Sequence, residues 1–268
     1  PIASTPNASA VPAEKVQFQA PAPDPLLVVP ISPRDALDRM RRCAAINNAD
    51  LERFRQTQLR WLSPQAQVLE RAAYAKAKAW GEARCRDWLI VEYSERWKML
   101  QKSFGERARS SRDLGDRLAG LAALSQIDDS PPKDIQPMRD LLEEAVRSGN
   151  PDLLLEIGRN LAAGQLGQIE HLGIYAGSHL TGVAFALVGC ELGAACGNDS
   201  SLVLNACAAQ GRCGYPDYPS LVYDAAVGRD DAVILRGVVD QIVQRIRSGQ
   251  TAGMFDPPPK PIPLPGGG

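Results

Sequence analysis

The segment CELGAACGNDSSLVLNACAAQGRC, residues 190–213, holds four of the six cysteines of this 268-residue chain and constrains its fold most strongly. It contains two units of the form C-x5-C. Each unit places one cysteine in the last turn of a predicted helix and the other in the following loop. Bridging these cysteines would hold two antiparallel helices and their connections together, and the sequence leaves their pairing open. Each bridge would contribute roughly 2–4 kcal/mol by restricting the unfolded chain.

All six cysteines are predicted to form disulfides. The two outside the cluster lie in predicted helices of the other half and are expected to pair with each other. An even count with paired spacing is typical of an oxidising compartment, and the chain begins with Pro1 rather than methionine, as a processed chain would. We therefore expect the periplasm of a Gram-negative bacterium or secretion, with the extracellular face of a removed anchor as the alternative. The predicted disulfide cysteines are Cys43, Cys85, Cys190, Cys196, Cys207 and Cys213.

A metal site is the competing interpretation of the cysteine cluster. Structural zinc sites favour C-x2-4-C spacing, which neither C-x5-C unit has. The histidines of the chain, His171 and His179, lie on one predicted helix and point in directions about 80° apart, so they would meet one ligand only if the helix bends. The sequence therefore predicts no metal site and no cofactor.

Hydrophobic periodicity outside this segment predicts an all-α fold. Ala, Leu, Arg and Glu recur at helical spacing, aromatic residues make up only 6% of the chain, and the alternation of half-buried strands is missing. Ser32-Pro33 and Ser63-Pro64 are typical helix starts, whereas Gly81 predicts a break before a helix that continues from Cys85 to Arg109. The predicted helices cover residues 32–45, 49–62, 64–79, 85–109, 111–125, 137–147, 150–164, 168–190, 200–209 and 230–247.

Proline-rich segments predict the organisation along the chain. Residues 1–31 are expected to form a disordered Pro/Ala-rich spacer, and residues 249–268 a disordered Pro-rich tail. A run of Asp, Ser and Pro predicts a linker at residues 126–137. This linker separates an N-terminal helical region, residues 32–125, from a C-terminal helical region with disulfides, residues 138–248. The sequence leaves open whether the two regions share one core.

Two apolar features of the chain are predicted to be buried. Residues 172–190 contain no Asp, Glu, Lys or Arg and could nearly span a bilayer. Gly, Ser, His and Thr make their centre polar, so we predict a buried helix and no transmembrane helix. The tryptophans lie in the first half and are predicted to anchor contacts between helices; they are Trp61, Trp80, Trp88 and Trp97.

The net charge of −1 implies no particular partner, but the charges are unevenly distributed. Residues 34–117 contain 19 Lys/Arg and 12 Asp/Glu, whereas residues 118–268 contain 10 and 17. Three interpretations of this distribution are open: the two halves attract each other, the basic half faces a polyanion, or the charges lie on ordinary solvated helix faces. The basic face around Arg39, Arg41 and Arg42 is the candidate polyanion surface, with a solvated face as the alternative.

No sequence motif points to catalysis. The chain has no P-loop, Rossmann glycine pattern, HExxH or G-x-S-x-G elbow, and adjacent Ser178 and His179 would not face each other on a helix. The even cysteine count also argues against a free thiol nucleophile. We therefore predict that the protein is not an enzyme. The alternative is a glycan-cleaving hydrolase of the cell envelope, whose candidate acids are Glu143, Glu156 and Glu170.

The stretch EAVRSGNPDLLLEIG, residues 144–158, resembles the hairpin turn of tetratricopeptide-like short helical repeats. In those repeats a helix ends at Ala-x-x-Gly-Asp/Asn-Pro, and the next begins with leucines and a Leu/Ile-Gly pair. Residues 190–213 resemble the cysteine-rich secreted branch of that superfamily, where a disulfide ties the two helices of a repeat. Cysteine spacing is wider in that branch, and no fixed repeat period is visible here. The resemblance covers roughly residues 138–213, and these residues also resemble a group of exported proteobacterial proteins of unassigned function.

The resemblance implies a repeat-like array of antiparallel helical hairpins that presents a surface to protein partners. Together with the disulfides and proline-rich ends, it predicts an exported helical protein-interaction module of the bacterial envelope. We expect it to bind a protein partner or an envelope polymer, not nucleic acid, and to catalyse nothing. A secreted effector or inhibitor is a further alternative. A cleft with a buried carboxylate would favour the hydrolase, and a surface without perturbed acids would favour binding.

Overall fold

The computed structural model describes residues 24–28, 30–46, 55–57, 59–89, 94–125, 127, 136–162 and 179–256. This part of the chain is all-α, as predicted, apart from an isolated antiparallel bridge between Gly197 and Asp217. A 3-10 turn (Pro25–Val28) comes first, and a π-helical turn (Val222–Ala226) precedes the last helix. The α-helices are α1 (Pro33–Ile46), α2 (Pro64–Cys85), α3 (Glu95–Arg109), α4 (Leu114–Ser125), α5 (Gln136–Ser148), α6 (Pro151–Ala162), α7 (His179–Glu191), α8 (Ser201–Gln210), α9 (Tyr218–Leu221) and α10 (Arg229–Arg247).

The two predicted Ser-Pro helix starts are confirmed. The Ser32 hydroxyl accepts a hydrogen bond from the Asp35 backbone N–H at 3.1 Å, at the start of α1. The Ser63 hydroxyl accepts one from the Ala66 backbone N–H at 3.3 Å, at the start of α2. In each helix a proline occupies the first position, where its missing N–H costs no intrahelical hydrogen bond. Local signals therefore set where these two helices begin.

The predicted break at Gly81 is wrong. Helix α2 runs through this buried residue to Cys85, and a Cβ atom at Gly81 would lie 2.9 Å from Cδ1 of Ile46 in α1. The glycine therefore allows α1 to approach α2 closely. The predicted continuous helix from Cys85 to Arg109 is also wrong, because α3 begins anew at Glu95 after the N-cap residue Ser94.

The ordered fold extends further at both ends than predicted. In the predicted spacer, Leu26 of the 3-10 turn is buried against the hydrophobic cluster around α1 and α3. In the predicted tail, Met254 and Phe255 are fully buried, and the Phe255 ring stacks on Phe185 with centroids 5.7 Å apart. Packing of these large side chains overrides the loop-like composition around them. The rest of both ends lies outside the described residues.

Several other predictions fall partly outside the described residues. These are the first half of the predicted helix at residues 168–190, half of the helix at 49–62, and most of the linker at 126–137. Among the tryptophans, Trp88 and Trp97 are buried as predicted, and Trp80 is half-buried. Trp61 is 84% exposed, so its predicted role as a core anchor is wrong. It lies in the turn before α2, outside the packed faces of the described helices.

Helix α4 contributes to both main hydrophobic clusters. Its Leu118 and Ala122 pack in the larger cluster, which is built mainly from α5, α6, α7 and α10. Its Ala119 and Ala123 pack in the second cluster, which includes side chains of α1 and α3. Alternate faces of one helix thus join the N-terminal and C-terminal helical regions.

Close backbone contact fixes α6 against α7. A Cβ atom at Gly158 would lie 2.5 Å from the Ala186 backbone N and 2.7 Å from the Gly182 carbonyl oxygen. These distances are well below van der Waals contact, so only glycine fits at this crossing. The crossing holds α6 in a defined register along α7, and α6 carries the charged side chains described below.

The three disulfides all involve helix ends or helix faces. Cys43 of α1 pairs with Cys85 at the end of α2, as predicted. Each C-x5-C unit closes on itself, because its two cysteines approach to Cα separations of 5.6 Å and 4.5 Å. The tie between two helices of a repeat, which the resemblance implies, is therefore not formed by these cysteines. Within the described ranges, no helix combines the length and hydropathy needed to cross a bilayer.

Candidate functional site

Helices α1 and α6 present matching polar faces to each other. On α1 an acid is followed by bases three and four residues later, and on α6 an acid is followed by a base and an amide at the same spacing. Residues at this spacing share one face of a helix. The two faces meet, although their residues lie more than a hundred positions apart in sequence. The six residues are Asp38, Arg41, Arg42, Glu156, Arg159 and Asn160.

The pair Asp38 and Arg42 is tight and buried. Arg42 Nε donates to Asp38 Oδ1 at 2.8 Å, and Arg42 Nη1 donates to the backbone carbonyl of Ser201 at 2.9 Å. Asp38 is 8% exposed and Arg42 is 7% exposed. Arg42 thus joins α1 to the start of α8, and short bonds already engage its guanidinium group.

The other arginines beside these acids are paired only loosely. Arg159 Nη1 lies 3.9 Å from Asp38 Oδ1 and 3.6 Å from Glu156 Oε2. Arg84 Nη2 lies 4.0 Å from Asp38 Oδ2, and Arg41 Nη2 lies 3.6 Å from Glu156 Oε1. With Arg42, four guanidinium groups share two carboxylates here. These four arginines and two acids, named below the arginine cluster, carry two more positive than negative charges. Asp35 and Asp152 line a small neighbouring cavity together with Arg159.

An amide holds the second carboxylate in place. Asn160 Nδ2 donates to Glu156 Oε1 at 3.0 Å, and Arg41 Nη1 donates to Asn160 Oδ1 at 2.9 Å. Glu156 is only 2% exposed. Its carboxylate therefore receives a hydrogen bond and two flanking positive charges while it is shielded from water.

The electrostatics of the arginine cluster keep the carboxylate of Asp38 ionised. Burial alone would raise the pKa of Asp38, but Arg42 and Arg159 outweigh this effect and hold that pKa below its ordinary value. Burial lowers the pKa of Arg42; attraction by Asp38 opposes this shift, and repulsion by Arg159 and Arg84 adds to it. The repulsion reflects the surplus of positive charge.

A cleft of about 390 Å³ opens beside the arginine cluster. Asp38, Arg41, Arg42 and Arg159 contribute charged groups to its lining. Apolar residues form another part of the lining, called below the apolar wall, and the π-helical turn contributes to it. Turns of this kind are frequent at functional sites. The apolar lining residues are Val183, Leu202, Ala206, Leu221, Val222 and Ala226.

Four uncharged polar residues complete the lining: Ser201, Asn205, Gln210 and Tyr218. Asn205 Oδ1 is enclosed and has no hydrogen-bond partner within the part of the chain that the structure describes. Tyr218 also lines the cleft, and burial raises the pKa of its phenol although Arg159 opposes the shift. The Tyr218 backbone N–H donates to the carbonyl of Cys196 at 2.8 Å. The disulfide-closed loop at Cys196 therefore positions Tyr218 in the cleft.

The predicted basic face around Arg39, Arg41 and Arg42 needs correction. Arg42 is buried and Arg41 is directed to Glu156 and Asn160, so they do not belong to an exposed surface. Both line the cleft instead. Arg39 is half-buried on α1 and does not line the cleft. The packing of α8 over α1 covers what the sequence alone presents as a basic helix face.

The candidate hydrolase acids are not brought together. Glu156 belongs to the arginine cluster, whereas Glu143 lies 3.9 Å from Arg147 on the outer part of α5, away from the cleft lining. Glu170 and His171 lie outside the described residues, and His179 begins α7 with its side chain also outside them. Among the residues that are described, no three Cys, His, Asp or Glu side chains form a group that could hold a metal ion.

Several residues of the cleft and of the polar faces beside it are not predicted from the sequence, although α6 contains a usable signal. They are Asp38, Arg159, Asn160, Asn205 and Tyr218. In the run LLLEIGRNLA, a charge pair and an amide at helical spacing interrupt a helix that is otherwise apolar. Polar groups that share the face of a buried helix need a polar partner, and this pattern indicates an internal polar site.

Asn205 and Tyr218 had no comparable signal, because their role depends on how α8 and α9 pack. The tetratricopeptide-like array likewise stays a prediction. No protein-family model, curated protein or solved structure matches the chain.

Proposed function

We propose that this protein is a non-catalytic binding module of the bacterial envelope that recognises an anionic group of its partner in the cleft. The observation that supports this proposal best is the arginine cluster, in which four guanidinium groups share two carboxylates beside a cavity. An excess of positive charge in a partly buried site is unfavourable. An anion in the cleft would neutralise that charge and would give Arg159 a short charge-assisted hydrogen bond, since the contacts of Arg159 with Asp38, Glu156 and the Ser201 hydroxyl are 3.5–3.9 Å long.

Export is the second part of the proposal, and the disulfides support it. Three disulfides engage all six cysteines of the chain. Such bonds persist in the periplasm and outside the cell, whereas cytosolic thiols are kept reduced. Two of the three close loops next to the helices that line the cleft, so an oxidising compartment would also preserve the binding site.

Binding fits the cleft better than glycan hydrolysis does. A general acid must carry a proton near neutral pH, and enzymes achieve this by raising the pKa of a carboxyl group. The pKa of Asp38 is lowered instead, because the neighbouring guanidinium groups favour its ionised form. The carboxylate of Glu156 lies 3.6 Å from both Arg41 and Arg159. These acids are suited to holding arginines in place.

The anion-binding proposal is tested by ligand-induced stabilisation. We expect acetate and citrate to raise the melting temperature above that in chloride at equal ionic strength. A ligand at a hundred times its Kd stabilises by about 2.7 kcal/mol. The shift should shrink in Arg159→Gln and persist in Arg147→Gln, which removes an exposed arginine of α5 far from the cleft lining. Equal shifts in both variants would contradict the proposal.

The hydrolase alternative is tested on cell-wall glycans. We expect the purified protein to release no new reducing ends from peptidoglycan, because the carboxylic acid that lines the cleft, Asp38, has a lowered pKa. The informative pair of variants is Glu156→Gln and Glu143→Gln. Release of reducing ends that is lost in the first variant and kept in the second would establish catalysis and overturn the proposal.

A further inference from the structure

We infer that the anion bound in the cleft is the C-terminal carboxylate of a polypeptide whose last side chain is apolar. The inference rests on the proposed function and deepens it, because it names the chemical class of the partner. It combines three separate features of the cleft: accessible guanidinium groups, an apolar wall and an unpaired hydrogen-bond acceptor.

The guanidinium groups of Arg159 and Arg41 are available to a carboxylate. Their side chains are 25% and 23% exposed, in contrast to the buried Arg42. The contacts from Arg159 to the carboxylates of the cluster are 3.6 Å and 3.9 Å, and its contact with the Ser201 hydroxyl is 3.5 Å. Its Nε is enclosed and has no partner within the described structure, so the exposed part of Arg159 that a ligand would meet lies elsewhere on the side chain. A planar guanidinium group can bind a carboxylate through two parallel hydrogen bonds.

The apolar wall selects what accompanies the carboxylate. Val183, Leu221 and Val222 line the cleft together with the charged residues. A volume of about 390 Å³ is at the small end for ligand cavities, so it suits the last residue or two of a chain. A sugar acid would place some of its hydroxyl groups against these apolar residues, where they would lack hydrogen bonds. An apolar side chain would instead gain from its burial.

The unpaired acceptor distinguishes a peptide from other amphipathic anions. Asn205 Oδ1 is enclosed at the cleft without a donor among the described residues. A buried acceptor that lacks a donor is costly, and a small rotation of the amide towards the cleft would let a ligand supply one. A fatty acid has a carboxylate and an apolar chain but no N–H group. The last residue of a peptide has all three, and capture of a C-terminal carboxylate is a recurring mode of recognition.

The direct test varies the ligand and leaves the protein unchanged. Calorimetric titration of the full chain would use acetyl-Ala-Ala-Leu with a free carboxylate, the same peptide as its C-terminal amide, and a form with an N-methylated leucine. We expect the amide to bind about tenfold more weakly or worse, because it loses charge-assisted hydrogen bonds to Arg159. The N-methylated peptide should also bind several-fold more weakly, since its last residue cannot donate to Asn205.

Two protein variants assign these effects to residues. In Asn205→Ala the free peptide and its N-methylated form should bind equally, while the preference for a free carboxylate remains. In Arg159→Lys the preference for the carboxylate should decrease. Arg147→Gln is the matched control and should behave like the wild type. Melting curves of all variants show whether each one is folded at the titration temperature.

The possible outcomes separate the inference from the proposed function. Equal affinity for the free and amidated peptides overturns the inference. The inference is also overturned if laurate binds as tightly as the free peptide and N-methylation of the peptide does not change its affinity. In that case the cleft binds anions, but its ligand is not a peptide. Failure of acetate, citrate and the peptide to bind contradicts the proposed function together with the inference.

Discussion

The contact between Gly158 and α7 gives a stability prediction that can be worked out from distances. In Gly158→Ala the new Cβ atom would lie 2.5 Å from the Ala186 backbone N, 2.7 Å from the Gly182 carbonyl oxygen and 2.8 Å from the Ala186 Cβ atom. Favourable contacts of this kind lie at about 3.5–4.0 Å. Helix α6 must therefore move away from α7 by about 1 Å, because the obstructing atoms belong mainly to backbone.

The expected loss of stability is about 2 kcal/mol. Overpacking costs about 1–3 kcal/mol, and a clash with backbone atoms at 2.5 and 2.7 Å lies at the upper end of this range. The better helix propensity of alanine returns up to about 1 kcal/mol. A domain of this size loses about 2–4 °C in melting temperature per kcal/mol, so we expect Gly158→Ala to melt about 4–8 °C lower than the wild type. Arg159 is the next residue, so the displacement of α6 should also weaken the response to acetate.

The matched control is Gly237→Ala. Gly237 lies in the exposed face of α10, and a Cβ atom there would have no neighbour within 4 Å. Helix propensity then acts alone, so this variant should gain up to about 1 kcal/mol. Thermal unfolding followed by circular dichroism measures both variants. The reasoning is refuted if Gly158→Ala melts at or above the temperature of Gly237→Ala.

Three further predictions concern the disulfides and the arginine cluster. Replacing both Cys43 and Cys85 by serine opens a loop of 42 residues and should cost about 4 kcal/mol of unfolding free energy. The same change at Cys207 and Cys213 opens a loop of 6 residues and should cost roughly half as much. Urea unfolding measures both losses, and a larger loss for the shorter loop would contradict the dependence on loop length. Asp38→Asn leaves Arg42 without its anion and should cost about 3–5 kcal/mol at pH 7 in the same assay; a loss below about 1 kcal/mol would contradict the role of this pair. Because folding lowers the pKa of Asp38, the stability that its carboxylate contributes is fully present above the ordinary pKa of 3.8 and is lost as the pH falls through the folded pKa. The difference in unfolding free energy between wild type and Asp38→Asn should therefore shrink below about pH 4. A difference that grows below that pH would contradict the lowered pKa.

Features that depend on neighbouring residues in sequence could be predicted. The Ser32 and Ser63 caps mark the starts of α1 and α2, because a serine before a proline satisfies the first free N–H groups of a helix. The pairing of Cys43 with Cys85 followed from the grouping of the remaining cysteines. Helical periodicity in most segments was strong enough to indicate the all-α fold.

Features that depend on packing between distant segments were predicted wrongly or missed. The sequence predicts a helix break at Gly81, because a glycine that ends a helix and a glycine that lets a neighbouring helix approach look alike in the local sequence. Phe255 was assigned to a tail, since the sequence does not show that Phe185 receives it. Trp61 was assigned to the core from its size alone, yet it is exposed. In each case the position of the residue depends on whether a residue distant in sequence packs against it.

The cleft shows the same limit. The sequence indicates Arg41 and Arg42 as part of a polyanion surface and Glu156 as a candidate acid of a hydrolase, which are two unrelated functions. Arg41 meets Asn160 across a separation of 119 residues, and no spacing within either helix predicts that contact. The balance of positive and negative charge in the cleft depends on this pairing. The candidate site could therefore be recognised only when both helices were seen together.

Chemical-shift mapping of the wild-type protein with acetyl-Ala-Ala-Leu tests most directly whether the cleft is a binding site. The side-chain Nε–H signal of Arg159 and the backbone amides of Asn205 and Tyr218 should show the largest shifts and saturate with one common Kd. Exposed Arg147 reports nonspecific effects of charge. Largest shifts at Arg147, or no saturating shift at Arg159, would contradict the account.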